Sequence, residues 1–119
     1  MALARSFRLT LRLSLLLLGL AAASAAAAPL DTAKLDEARS AVAEAAAVTR
    51  AEAQGRVTRT YAEGLREAIR RDLEKLRQDP QFGPVARAAL QALERKDEAA
   101  LQALRDQLIV IERAHGRSG

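Results

Sequence analysis

Residues 57–84 read VTRTYAEGLREAIRRDLEKLRQDPQFGP, and this stretch decides the fold. Val57, Tyr61, Leu65, Ile69, Leu73 and Leu76 recur in steps of four and finally three. Such steps place side chains on one face of a helix. The stretch ends in a break. Asp79-Pro80 and Gly83-Pro84 bracket Gln81 and Phe82, and each proline disfavours helix in the residue before it. Pro84 then suits the first turn of a new helix. Phe82 lies in the turn and is expected to plug its apex.

Towards the N-terminus, Asp31 is placed to cap a helix, and Leu30 to pack on Leu35 as a hydrophobic staple. Leu35, Ala38, Val42, Ala45 or Ala46, and Thr49 share one face. That face is thin. Between Ala33 and Gln54 the only apolar side chains larger than Ala are Leu35, Val42 and Val48, and burying Ala removes little apolar area from water. Alanine does permit close approach of another helix. The seam therefore reads either as a seat for a partner helix or a second copy, or as a helix extending over solvent. Gly55 and Gly64 each cost about 1 kcal/mol inside a helix. The stripe favours one long helix over 32–78, bent near Gly55, over a split in which Thr60 and Glu63 form a capping box.

Towards the C-terminus, AALQAL occurs at 88–93 and again at 99–104. Asp97 between the copies is a candidate cap, which gives helices over 84–95 and 98–114. An eleven-residue period is also close to three turns, so a continuous helix is the other reading. Leu101, Leu104, Leu108 and Ile111 form the best candidate buried face. Residues 115–119 read as a flexible tail. The fold class is all-α, a small helical bundle or helical hairpin, in a single domain over 28–119.

The first 28 residues carry a different message. Arg5, Arg8 and Arg12 precede the apolar run LSLLLLGL at 13–20, and AAASAAAA follows at 21–28. This is the three-part pattern of a secretory signal peptide, with cleavage expected within 25–28. An uncleaved signal anchor is the alternative, although the uncharged run 13–30 is slightly shorter than the ~20 residues of a spanning helix. The expected location is outside the cytoplasm, periplasmic or secreted.

Charge follows from that cut. The chain of 119 residues has 19 basic and 15 acidic residues, a net charge of +4. Three of the basic residues belong to the leader, so the exported part is nearly neutral. Its charges are mixed, and the whole chain has one Tyr, two Phe and no Trp. Nucleic-acid binding asks for a basic face and, for single strands, stacking aromatics, so it is not expected.

The absence of cysteine excludes disulfides, thiol nucleophiles and Cys-ligated zinc. The single His115 reads as a residue at a helix C-terminus acting on the dipole, and no metal or cofactor is expected. Glu63 and Glu67 sit among Arg59, Arg66, Arg70 and Arg71, the pattern of a solvated, ion-paired face. Tyr61 reads as a core residue with its hydroxyl at the rim. No nucleophile, base and tuning partner occur together, so an enzyme or a small-molecule substrate is not expected.

What remains is binding. The leading expectation is a small exported accessory protein of the cell envelope, acting through an amphipathic helix face on a protein partner or as a homo-oligomer. The residues expected to carry it are Val57, Tyr61, Leu65, Ile69, Leu73, Leu76, Leu101, Leu104, Leu108 and Ile111. One alternative is association with anionic membrane surfaces through Arg56, Arg59, Arg66, Arg70, Arg71, Lys75 and Arg77. Another is a non-cytoplasmic toxin-neutralising protein.

Overall fold

Gly55 breaks the expected long helix well before Pro80 and Pro84. In the computed structural model, which describes residues 29–118, helix α1 spans Thr32–Ala53 and helix α2 spans Arg59–Leu76. The continuous helix expected over 32–78 is therefore two helices. Gly55 has φ +69°, a left-handed conformation that suits glycine. Its N–H donates to the Glu52 carbonyl, and the Arg56 N–H donates to the Ala51 carbonyl. This pair of bonds is a Schellman closure, which satisfies carbonyls the helix end would leave free. Thr58 then restarts the helix, its hydroxyl accepting from the Tyr61 N–H at 3.2 Å. The cap is Thr58, two residues before the Thr60 of the alternative split reading.

The other boundaries follow local chemistry as expected. Asp31 caps α1, accepting from the Lys34 N–H at 3.1 Å, and Leu30 packs half-buried on the core. Asp79 organises the second turn by accepting from the Gln81 and Phe82 N–H groups at 2.9 and 2.8 Å. Phe82 is fully buried there. Helix α3 spans Gly83–Arg95 with Pro84 in its first turn. Gly83 is buried, and a Cβ at this position would lie 2.8 Å from the Arg77 carbonyl oxygen, so the turn depends on glycine. Asp97 starts helix α4, Glu98–Ser118, accepting from the Ala100 N–H at 3.1 Å. Helix α4 continues through Ser118, past the end expected at 114. The leader and its cleavage site lie outside the described residues.

The four helices form an up-down bundle. Arg39 near the start of α1 meets Glu112 near the end of α4, while Arg50 near the end of α1 meets Glu98 at the start of α4. Arg70 of α2 reaches Glu94 of α3, and Arg87 of α3 donates to the Arg77 carbonyl. Neighbouring helices thus run antiparallel. Each helix packs on the next, α4 closes on α1, and α1 also meets α3 across the centre.

The alanine seam of α1 is consumed by this arrangement. Ala38, Ala41, Val42, Ala45 and Ala46 are all buried in the chain's own core. The helix expected to be marginal touches all three others and takes part in the two most extensive helix–helix contacts of the bundle. Alanine makes this possible, because a helix with short side chains lets neighbours approach on several sides at once. Thr49, also buried, satisfies its hydroxyl on the Ala45 carbonyl at 2.8 Å.

Candidate functional site

The structure divides the expected binding residues into two groups. Ile69, Leu73, Leu76, Leu101, Leu104 and Leu108 are buried in the core, and Val57 and Ile111 pack half-buried against it. None of these eight offers a free face. Tyr61 and Leu65 lie outside, at 59% and 36% exposure. The core position expected for Tyr61 is thus corrected. The cause is a drift in the stripe. Each residue turns a helix by 100°, so a step of four advances about 40° beyond a full turn. From Tyr61 to Leu73 three such steps accumulate to about 120°. Within α2 the stripe begins outside at Tyr61 and ends in the core at Leu73 and Leu76.

An outer stripe results. Tyr61, Gly64, Leu65 and Ala68 follow the three-and-four spacing of a single helix face, and all four are exposed. Among the described residues, nothing beyond the adjoining residues and backbone of α2 itself lies within 4 Å of where a Gly64 Cβ would stand. Among the described residues the exposed large apolar side chains are Tyr61, Leu65 and Val110, so two of the three are one turn apart on α2.

Four of the seven cations read along residues 56–77 are paired with carboxylates of the chain. Arg70 pairs with Glu67 and Glu94, Lys75 with Asp72, and Arg77 with Glu74. Arg66 is buried. Its guanidinium grips both oxygens of Glu52, at 2.6 and 3.3 Å, and reaches Glu63 at 3.2 Å. The planar fork matches a carboxylate in this bidentate geometry. Lys96 joins from the other side, with Nζ 3.0 Å from Glu52 Oε1. One carboxylate thereby ties the end of α1 to α2 and to the α3–α4 turn. Hydrogen bonds from Arg66 and then Lys96 lower the Glu52 pKa from 4.5 to about 2, against an opposing push from burial. Arg66 Nε is buried and has no acceptor among the described residues.

Sequence reading missed this cluster. Arg66 sits on the inner face with Ala62, Ile69 and Leu73, three residues before Ile69. That register was the available signal, and the apolar stripe drawn through Leu65 obscured it.

Chemical sites are sparse. Among the described residues no group of His, Asp and Glu side chains is arranged to hold a metal ion. His115 is exposed on the last turns of α4. No helix among the described residues is long and apolar enough to cross a membrane. Surface clefts lie between helices. One is lined by Asp36, Glu37, Glu44, Asp72 and Lys75, and a second by Arg50, Arg56, Arg105 and two glutamines. No family model matches this chain, and no curated protein or solved structure matches it.

Proposed function

We propose that the chain is a small exported binding protein of the cell envelope, and that it presents the outer face of α2 to a protein partner. The observation that carries this reading is the exposed stripe Tyr61, Gly64, Leu65 and Ala68. An exposed tyrosine and leucine one turn apart supply an apolar anchor, and aromatic anchors contribute strongly at protein interfaces. Gly64 and Ala68 beside them keep the surface flat enough for a partner's helix to approach closely. Gly64 lowers intrinsic helix stability by about 1 kcal/mol relative to alanine, with no packing neighbour among the described residues to account for it. The exported location rests on the leader, with its basic start, apolar run and small residues.

Affinity capture from a gently solubilised envelope fraction of the native host, read by mass spectrometry, tests this reading. The expected result is one stoichiometric partner, lost when Tyr61→Ser and Leu65→Ser are combined. Both side chains are solvent-exposed, so the variant should keep its helical circular dichroism. A folded double variant that still captures the partner overturns the proposal. So does recovery of the wild-type chain alone, which would point to self-association.

A further inference from the structure

The cleft beside the end of α1 and the first half of α4 has a volume of about 400 Å³. Its charged lining is all of one sign: Arg50, Arg56 and Arg105, with the amides of Gln54 and Gln102 beside them. No carboxylate lines it, and the remaining wall is alanine from α1. Arg50 has an ion pair with Glu98 at 3.9 Å between two exposed side chains, a contact of little strength in water. Arg56 and Arg105 are exposed and have no carboxylate partner among the described residues. Helix α4 offers Arg105 none, because the residues three and four away are Leu101, Gln102, Leu108 and Ile109. Elsewhere Arg39, Arg66, Arg70, Lys75, Arg77 and Lys96 each have a carboxylate, and exposed cations without one, such as Arg59, Arg71 and Arg113, do not line this cleft. The negative end of the α1 dipole offsets part of the charge around the cleft. A bound anion would offset the rest.

We infer that this cleft binds a phosphate group. Guanidinium forks match phosphate oxygens in bidentate geometry, and Gln54 and Gln102 add neutral donors. Three arginines call for more than one negative charge, which a phosphate monoester supplies and a single carboxylate does not. The alanine wall suits the apolar part of an ester. Such a phosphate has two sources outside the cytoplasm, a soluble phosphoester or the headgroup of an anionic lipid.

Inorganic phosphate is the first probe, titrated into the ¹⁵N-labelled protein purified from cells expressing the full chain, at constant ionic strength. The expected result is a saturable shift of amides around residues 50–56 and 102–105. Affinity should fall at least about tenfold, or ~1.4 kcal/mol, in Arg56→Glu and in Arg105→Glu. Arg113→Glu, an exposed cation on α4 outside the cleft, should bind as the wild type does. Arg105→Gln gives a second reading should a charge reversal disturb the fold. Absence of a saturable shift overturns the inference, and so does an equal loss in Arg113→Glu. Co-sedimentation with vesicles containing phosphatidic acid, dependent on Arg105, would identify the lipid source. Phosphate binding without vesicle binding would identify the soluble one, and either result supports the cleft.

Discussion

The two copies of AALQAL have the same six residues and are both helical, yet they bury different positions. At 88–93 in α3, Ala89, Ala92 and Leu93 are buried and Leu90 is half-buried. At 99–104 in α4, Leu101 and Leu104 are buried, while Ala100 and Ala103 are half-buried. Leu90 and Leu101 occupy the same place in the hexapeptide and have different environments. Lys96 causes the difference. It takes the left-handed conformation, φ 53°, ends α3, and lets Asp97 start α4 in a new phase. Helix α3 sits among three neighbours and α4 between two. Local sequence specifies a helix with an apolar side; the neighbours decide which side is used.

The comparison can be broken experimentally. Leu101→Ala should lose about 2–5 kcal/mol of unfolding free energy, as for a core leucine, whereas Leu90→Ala should lose about half as much, because less of its area is removed from water. Urea denaturation of the two variants measures this, and equal losses would mean that the copies are packed alike.

A smaller effect is expected in the opposite direction of size. Ala89 is fully buried, so Ala89→Leu should overpack the core and cost about 1–3 kcal/mol. Ala100→Leu, at the equivalent position of the second copy, should be nearly neutral. Thermal melts of the pair sharpen the contrast that the leucines establish.

The smallest effect concerns the joint between the copies. Lys96 is held by Glu52, whose pKa is lowered to about 2 in the folded chain. A carboxyl lowered on folding adds stability above its unfolded pKa and loses it as pH falls through the folded one. The contribution should be intact above about 4.5 and disappear towards pH 2. In Glu52→Gln this portion of the acid dependence should be missing. Denaturation midpoints across that range check it; an identical pH profile in the variant would show that the joint does not depend on the charge.

Much of the fold was legible because its boundaries rest on short-range chemistry. Asp31, the 79–84 turn and Asp97 each work through hydrogen bonds to residues two to four positions away. The break at Gly55 was harder to read, since an apolar stripe continues across it and glycine is tolerated inside helices. The candidate site was less legible. Tyr61 and Leu65 were found, but in company with residues the core had already claimed. Arg66 was assigned to solvent because arginine is usually exposed, and its bidentate pair with Glu52, fourteen residues away, together with Glu63 makes its burial tolerable. The arginine cleft joins residues 50 and 56 to residue 105, a separation that helical periodicity does not address.

The sequence by itself determined the all-helical class, most of the caps and turns, and the absence of thiol chemistry, because propensity, capping and composition act locally or without regard to fold. Tertiary structure decided which face of each helix is buried. It made the alanine helix the hub of the bundle and left Tyr61 and Leu65 outside. It also drew Arg66 inward and gathered three arginines around one cleft. Those outcomes depend on how neighbouring helices share volume and charge, and such sharing exists only once the chain has folded.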